Sequence, residues 1–253
     1  MRSTAHDPAR WFAEHYEDAA DEILAFLGGD GISLEGRRVA DIGCGDGIID
    51  LGLAVKGSPA ELVGYDLMDV DTDGLARAAH AAGAVDELPA CLRFERSGPV
   101  TIPAPDEHFD LIVTWSVFEH VDDPVGLLAE IRRVIKPDGH FFLQLWPFYD
   151  SEHGGHLWHH YEGPFPHHLR RDESIIGEVQ GDRATDPRRS ADDEYRSLNR
   201  ISVDDLQRAL LRNRLAVGKL KLLTQAVHVP SQLGHRSLTE LGVGGIELLA
   251  SPV

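Results

Sequence analysis

The sequence has few cysteines and few basic residues, and it lacks a long apolar run. Its two cysteines, Cys44 and Cys91, are too few for a disulfide framework and suit a reducing compartment. Lysine and arginine total 24 against 42 acidic residues, so the formal charge is −18. Tracking a nucleic-acid backbone or docking on an anionic membrane rests on basic residues, and neither is expected here.

No apolar segment reaches the roughly 20 residues that are needed to span a bilayer. The first 22 residues carry charges throughout, so we expect no signal peptide and a cytoplasmic protein. The 253 residues fit one large α/β domain or two small domains. We expect a single domain over residues 1–253, with residues 1–30 as an N-terminal helical cover.

Strands and helices are predicted to alternate along the first 146 residues. An amphipathic helix over 8–27 comes first, because apolar residues recur there at spacings of three and four. Strands are predicted at 37–42, 61–66, 90–95, 109–115 and 140–146, and helices at 48–56, 73–82 and 124–135. A further helix over 203–215 and strands at 219–229 and 245–250 complete the chain. Such alternation is typical of a parallel sheet covered by helices.

A glycine-rich turn, residues 43–47, closes the first strand, and Asp66 ends the second. Glycines there allow the backbone to approach a ligand, and an acid at the second strand end can bind the two hydroxyls of a ribose. The combination predicts a nucleoside-containing cofactor; a tight turn without a ligand is the alternative. The spacing is G-x-G-x-G, with Ile48 in place of the third glycine of a dinucleotide site. Asp41 and Asp46 would repel a pyrophosphate and suit a cationic ligand.

Residues 41–47 resemble motif I of class I S-adenosylmethionine (SAM)-dependent methyltransferases. Three further features resemble that family: Asp66 as its ribose-binding acid, residues 109–113 as its fourth-strand motif and residues 134–139 as the segment before its fifth strand. The resemblance covers about residues 37–146. It implies an α/β Rossmann-like sheet of seven strands, six parallel and the last antiparallel, with a lid insertion after strand five.

The same resemblance implies which residues bind SAM. The cofactor-binding set is Asp41, Gly43, Cys44, Gly45, Asp66, Leu67, Ser97, Trp115, Ser116 and Tyr16. Motif I would contact the methionine end, and Tyr16 on the N-terminal helix would close over the cofactor. Many relatives carry an Asp after strand three for the adenine amino group, but residues 94–97 contain none. Ser97, the main chain or Glu95 would then have to bind the adenine amino group.

Residues 147–200, here called the lid segment, show no sustained periodicity, which indicates a substrate lid or partial disorder. Six of the 14 histidines fall within residues 153–168 of this segment. Histidine can take a proton from a hydroxyl near neutral pH, so His153 or His156, close to the end of strand five, is predicted to be a general base. The alternative is a solvated histidine-rich loop without chemistry.

Aromatic residues interleave with these histidines and favour a small hydroxylated acceptor, such as a saccharide or a secondary metabolite. Glu119 and His120, after strand four, resemble the end of the E-x-x-E-H motif by which some O-methyltransferases of quinone biosynthesis hold a divalent metal. Ser116 replaces the first Glu of that motif. The resemblance implies Mg²⁺ or Mn²⁺ at Glu119 and His120, joined by a lid residue such as His153, His156 or Asp150. A histidine that only packs the turn is the alternative.

We therefore expect a SAM-dependent methyltransferase that methylates a hydroxyl oxygen of a small acceptor. Alternatives within the family are N- or C-methylation, and nucleic-acid methylation is disfavoured by the charge. A NAD-dependent dehydrogenase and a non-catalytic SAM-binding protein are the alternatives outside it. A homodimer through the lid segment and the N-terminal helix is a further expectation.

Overall fold

The computed structural model describes residues 7–184 and 188–253. Parts of the N-terminal cover and of the lid segment, residues 1–6 and 185–187, thus lie outside the described residues. Seven strands form one sheet in the order β3-β2-β1-β4-β5-β7-β6. The strands are β1 (Arg38–Ile42), β2 (Glu61–Asp66), β3 (Leu92–Arg96), β4 (Phe109–Trp115), β5 (Ile135–Leu145), β6 (Leu215–Thr224) and β7 (Val243–Pro252).

Strand directions confirm the predicted fold. The pairs β2–β3, β1–β2, β1–β4 and β4–β5 are parallel, whereas β7 is antiparallel to both of its neighbours, β5 and β6. Six strands therefore run one way and β7 runs against them. The chain order places the carboxyl ends of β1, β2, β4 and β5 side by side at one edge, where such sheets bind ligands.

Helices cover both faces of this sheet. The α-helices among the described residues are α1 (Pro8–Ala13), α2 (Ala20–Gly28), α3 (Ile48–Gly57), α4 (Thr72–Ala81), α5 (Pro124–Val134), α6 (Pro166–Leu169), α7 (Asp172–Glu178), α8 (Ala191–Arg196), α9 (Val203–Arg212) and α10 (Leu238–Gly242). Helices α5 and α9 bury their apolar residues against one face of the sheet, and α2 and α3 bury theirs against the other.

The N-terminal helix is interrupted, unlike the continuous helix predicted over 8–27. A π-helical segment, Glu14–Ala19, separates α1 from α2. A Cβ on Gly52 of α3 would lie 2.7 Å from the Tyr16 carbonyl oxygen, so α3 passes very close to the π-helical backbone. The interruption accompanies a tertiary contact that the helical periodicity does not encode.

Two predicted strands start four or five residues later in the sequence than the observed ones. Strand β5 begins at Ile135, where it pairs with Phe109, rather than at residue 140. Strand β6 begins at Leu215, where it pairs with Pro252, and ends at Thr224 rather than at residue 229. In both cases the pairing partner, rather than the local apolar pattern, sets the strand end.

The lid segment is more ordered than its sequence pattern predicts. It contains α6, α7 and α8 and has its own buried apolar cluster. The buried members of that cluster are Tyr149, Leu157, Ile175, Val179, Ala191, Tyr195 and Leu198. Ser190 caps α8 by accepting from the Asp193 N–H. Within the described residues, no helix is both long and apolar enough to cross a membrane.

Candidate functional site

The glycine turn after β1 has three residues in the left-handed region, with φ of +82°, +64° and +78° at Gly43, Gly45 and Gly47. A Cβ on Gly43 would lie 2.5 Å from Val117 Cγ2, and one on Gly47 would lie 2.5 Å from the Phe94 ring. These two glycines are therefore required by the protein's own packing as well as by the backbone conformation. The Gly43–Val117 contact also links the turn to the segment that follows β4.

Gly45, the middle glycine, faces a side chain of the lid segment. A Cβ on Gly45 would lie 3.3 Å from Nη2 of Arg188. The guanidinium thus stands over the turn, although sequence analysis assigned Arg188 no part in the site. The sequence gives little indication of this contact, because Arg188 lies more than 140 residues from the turn.

Asp66 is fixed at the end of β2 by two backbone donors. The Gly45 N–H donates to Oδ2 and the Met68 N–H donates to Oδ1, each over 3.0 Å. The Ser97 N–H donates to the Asp66 carbonyl oxygen over 2.9 Å, which brings the end of β3 beside it. Leu67 is 50% exposed and Met68 45% exposed, so two apolar side chains flank the acid. The structure thus brings together Gly45, Asp66, Leu67 and Ser97, and their contact with a cofactor stays a prediction.

Ser116 is held at the end of β4 by the neighbouring strand. It has a φ of +50°, and both its N–H and its hydroxyl donate to Gln144 Oε1, over 2.9 and 3.0 Å. Trp115 stacks on Phe142 with ring centroids 6.4 Å apart. Gln144, which is buried near the end of β5, is a positioning residue that sequence analysis missed.

On the N-terminal helices, Trp11 rather than Tyr16 makes the hydrogen bond to the turn. Trp11 Nε1 donates to Asp46 Oδ2 over 2.7 Å. The Tyr16 ring stacks on Phe12 at 5.2 Å within a cluster that includes Leu51 of α3, and it is 9% exposed. The predicted cofactor contact of Tyr16 stays a prediction.

Beneath the turn lies a pair of buried carboxyl groups, Asp41 and Asp50. Both are almost fully buried, and Asp41 Oδ1 and both Asp50 oxygens receive no hydrogen bond from the described residues. Burial raises the pKa of Asp41 to about 7, and the charge of Asp66 acts in the same direction. Burial and the charge of Asp41 raise the pKa of Asp50 well above its usual range. Such a pair is stable when the two groups share one proton.

Asp50 could have been suspected from sequence, because it is the one acid in the largely apolar stretch 48–55. Cys44, next to the pair, is buried, and burial raises the pKa of its thiol. The thiol is thus held in its un-ionised form, and an un-ionised thiol is a poor nucleophile.

A second cluster, Glu119, His120 and His156, lies beyond Val117. One donor atom from each residue falls within 4.8 Å of the other two. Glu119 is 2% exposed and His156 is 8% exposed. The oxygens of Glu119 and the ring nitrogens of His156 make no hydrogen bond with the described residues. Burial, together with the charge of Glu194, raises the pKa of Glu119 to about 8.

His153, the other predicted base, lines a cavity of about 380 Å³ within the lid segment. Polar and aromatic residues around this cavity include Glu152, His153, Trp158, Tyr161, Glu162 and His167. The Trp158 ring centroid is 5.5 Å from that of His156, so the cavity adjoins the second cluster. Burial lowers the pKa of His167 to about 3, and its Nε2 lies 2.6 Å from the Tyr149 carbonyl oxygen, so His167 is a neutral donor.

Asn199, at the end of the lid segment, clamps the short helical turn Phe118–His120. Its Nδ2 donates to the carbonyls of Phe118 and Val121 over 2.6 and 2.8 Å, and its backbone N–H donates to the Glu119 carbonyl over 2.8 Å. Asn199 thus fixes the backbone that carries Glu119 and His120. Of the other lid residues that we considered for a metal, Asp150 instead pairs with Arg236 over 2.6 Å.

Residues 12–177 match the family model described as "Methyltransferase domain", which is about two thirds of the chain. The chain is also 33% identical over 121 residues to a ubiquinone biosynthesis O-methyltransferase of Alkalilimnicola ehrlichii, a match that covers 47% of this chain and 44% of that protein. The chain therefore spans less than half of the length of this curated relative.

Solved structures share the fold at low identity. A SAM-dependent methyltransferase from Mesorhizobium loti has a TM-score of 0.57 and 19% identity, with 93% of this chain and 99% of that chain covered. Geranyl diphosphate C-methyltransferase from Streptomyces coelicolor A3(2), solved with Mg²⁺, geranyl diphosphate and S-adenosyl-L-homocysteine (SAH), has a TM-score of 0.59 and 16% identity. That match covers 94% of this chain and 78% of the other.

Proposed function

Because this chain belongs to the class I SAM-dependent methyltransferases, we propose that it transfers the methyl group of SAM to a hydroxyl oxygen of a small acceptor. The observation that carries the proposal is a continuous row of contacts. Gly43 of the turn touches Val117, Glu119 and His120 follow Val117, and His156 beside them adjoins the cavity. A cofactor on the turn and an acceptor in the cavity would meet at this row.

The cofactor half of the proposal rests on the turn and Asp66. A carboxylate has about four lone-pair sites, and two backbone donors occupy two of them, so Asp66 can still accept from both ribose hydroxyls. Leu67 and Met68 offer apolar surface to the adenine, with Ser97 at its edge. Asp41 offers a carboxyl to the cationic end of SAM. Arg188, over Gly45, is suited to the methionine carboxylate.

In the transfer itself, a lone pair of the acceptor oxygen attacks the methyl carbon of SAM. The new O–C bond forms as the C–S bond breaks, so the sulfonium becomes the neutral thioether of SAH. The hydroxyl proton must leave, and it passes to a base. We assign that role to His153, because it lines the cavity, whereas His156 is buried in the second cluster.

A divalent ion would fit beside this base, and the proposed transfer does not depend on it. Glu119 and His156 carry buried polar atoms without hydrogen bonds, and His120 stands beside them, so the residues fit a metal. Glu119, His120 and His156 would hold it; Mg²⁺ or Mn²⁺ is the ion that the motif implies. When bound, such an ion lowers the pKa of a nearby hydroxyl. With or without the ion, His153 receives the hydroxyl proton at a ring nitrogen.

N-methylation of an amine is the second candidate function. The carboxylates of Glu152 and Glu162 line the cavity, as do the rings of Trp158 and Tyr161. Carboxylates and aromatic faces both attract an ammonium group, which would bind there and lose a proton before transfer. A saccharide acceptor is favoured by the same rings and hydrogen-bonding groups, so the acceptor panel must contain both classes.

The experiment combines calorimetry with a mass-spectrometric acceptor screen. SAM and SAH should both bind, and Asp66→Ala should weaken SAM roughly 10- to 100-fold, since a charged hydrogen-bond acceptor is lost. Asp69→Ala, at an acid exposed in the following loop, is the matched control. Products should gain a methyl group on oxygen.

For the base, His153→Ala should lower kcat roughly 10²- to 10⁴-fold with unchanged SAM affinity. His159→Ala, an exposed neighbour in the same histidine-rich stretch, should not. SAM binding without turnover on any acceptor would instead support the non-catalytic alternative. Equal kcat in His153→Ala and the wild type would remove the base assignment.

A further inference from the structure

The second cluster is oriented by α8 of the lid segment, and its hydrogen atoms can be assigned from the donors around Ser197. The Ser197 hydroxyl donates to the Glu194 carbonyl over 2.8 Å and accepts from Arg189 Nη1 over 3.1 Å. His120 Nδ1 lies 2.8 Å from the same oxygen. A hydroxyl has one hydrogen, which is already used, so His120 Nδ1–H must be the donor. His120 Nε2 is then left with a lone pair.

The second histidine lies beside a carboxylate without a hydrogen bond to it. His156 Nδ1 is 3.4 Å from Glu194 Oε1, and both side chains are buried. A neutral ring with its proton on Nδ1 would turn that proton towards the carboxylate and leave Nε2 unprotonated. His156 is also held at a φ of +54°, a conformation that residues other than glycine rarely adopt and that is common at functional sites.

From these contacts we propose that Glu119, His120 and His156 form an open, three-ligand centre for a transition-metal ion, and that α8 positions both histidines through Glu194 and Ser197. Metal-bound histidines generally donate their other ring N–H to a carboxylate or another oxygen, which fixes the ring and raises its basicity. Three protein ligands leave a coordination position open. This inference rests on the proposed function in one respect only, namely that the acceptor oxygen takes the open position.

The ligand types select the class of metal. Two imidazoles and one carboxylate suit Zn²⁺, Fe²⁺, Co²⁺ or Mn²⁺, whereas Mg²⁺ prefers oxygen ligands and retains water. The cluster also buries the Glu119 and Glu194 carboxyl groups together, and a divalent ion would stabilise the ionised form of Glu119. The Mg²⁺ that the motif implies is therefore the less suitable ion, and Mn²⁺ is the more suitable of the two that the resemblance implies.

Such a centre would join three parts of the chain. Glu119 and His120 come from the end of β4, His156 comes from the loop after β5, and the supporting Glu194 and Ser197 come from α8. Metal binding would therefore hold the lid segment against the sheet. Removal of the metal would leave Glu119 and His156 without their shared partner and would loosen the lid segment.

The test is metal binding by the full chain in the absence of SAM and acceptor. After treatment with a chelator, the protein should bind one Co²⁺ with visible d–d absorption, and Zn²⁺ should compete at least 100-fold better than Mg²⁺. His120→Ala and His156→Ala should each lose the Co²⁺ spectrum. Glu194→Gln and Ser197→Ala, which keep all three ligands, should weaken Zn²⁺ binding roughly 10- to 100-fold. Glu173→Gln, at an exposed lid glutamate, is the matched control.

Equal affinity of Glu194→Gln and wild type for Zn²⁺ would overturn the role of α8, and Mg²⁺ binding as tightly as Zn²⁺ would overturn the metal class. Limited proteolysis gives a second readout, because cleavage within the lid segment should become faster on chelation and slower again with Zn²⁺. Methyl transfer without metal binding would refute this inference alone. Metal binding without methyl transfer would refute the proposed function alone.

Discussion

At the scale of single residues, the buried pair Asp41 and Asp50 connects the cofactor turn to pH. Neither carboxyl receives enough hydrogen bonds to offset the free-energy cost of a buried charge. The folded protein therefore holds a proton that the unfolded chain releases above about pH 4. A group whose pKa is raised by folding stabilises the fold fully below its unfolded pKa. That stabilisation is lost as the pH rises through the folded pKa, which is about 7 for Asp41.

Asp50→Asn should therefore flatten the pH dependence of stability. The free energy of unfolding of the wild type should fall between pH 5 and pH 7. For the variant, the slope of this fall should be smaller by about 1 kcal/mol per pH unit. Asparagine can donate to Asp41 and lets that carboxyl ionise without a second acid beside it. Urea unfolding at pH 5, 6, 7 and 8 measures this, with Asp73→Asn on exposed α4 as control. Parallel curves for Asp50→Asn and wild type would show that the two acids share no proton.

At the scale of elements, the lid segment is attached to the sheet through Asn199. Its side chain satisfies two carbonyls of the turn after β4, and the Ile201 N–H donates to its Oδ1 over 2.9 Å. One side chain thus joins the lid end, the start of α9 and the backbone of the second cluster. An opening of the lid segment would have to break these bonds, so the geometry of Glu119 and His120 depends on the lid being closed.

Asn199→Ala should loosen this junction and destabilise the protein by about 2 kcal/mol, because two partly buried carbonyls lose their donor. Hydrogen exchange of residues 118–121 and of α8 should become faster than in wild type. Asn213→Ala is a matched control. Asn213 follows the last residue of α9, and its Nδ2 also donates to two carbonyls, those of Val125 and Ala209. If both variants accelerate exchange in α8 equally, Asn199 has no special part in holding the lid segment.

At the scale of the whole molecule, the excess of acidic residues that gives the net charge of −18 is also found at the proposed acceptor site. Glu152 and Glu162 line the cavity, whereas no lysine or arginine within residues 7–184 and 188–253 does. A cleft of one sign, within a protein of the same sign, repels ligands of that sign over several ångströms. The acceptor should therefore be neutral or cationic.

A neutral sugar or alcohol acceptor should accordingly be preferred over its phosphorylated derivative. At low ionic strength kcat/KM for the phosphate should be at least tenfold lower, and the gap should narrow as salt screens the repulsion. Glu162→Gln should also reduce the difference in kcat/KM between the neutral and the phosphorylated acceptor. Steady-state rates at two salt concentrations measure the effect. A phosphorylated acceptor that is preferred at low salt would contradict the proposed acceptor class.

Much of the fold and half of the site follow from local sequence. The glycine turn, Asp66 and the alternation of strands and helices were predictable, because strand-end chemistry and β/α alternation are encoded within short windows. The seven-strand sheet with its antiparallel last strand followed from the resemblance. Helices α6, α7 and α8 were missed, since they are short and packed around a cluster formed by distant residues. Arg188, Glu194 and Asn199 were missed for the same reason, because each meets its partner only after the lid segment has folded onto the sheet.

The lid segment has its own apolar cluster, and it leaves the sheet after β5 and returns before α9. A unit with its own core that is inserted between two elements of the sheet domain can be exchanged while most of the cofactor half stays intact. Chimeras that replace residues 147–200 but keep Arg188 and Asn199 should therefore retain nucleoside recognition and acquire a different acceptor range. In a lineage built on this plan, substrate diversification would proceed by changes in one insertion, with the nucleoside-binding turn inherited unchanged.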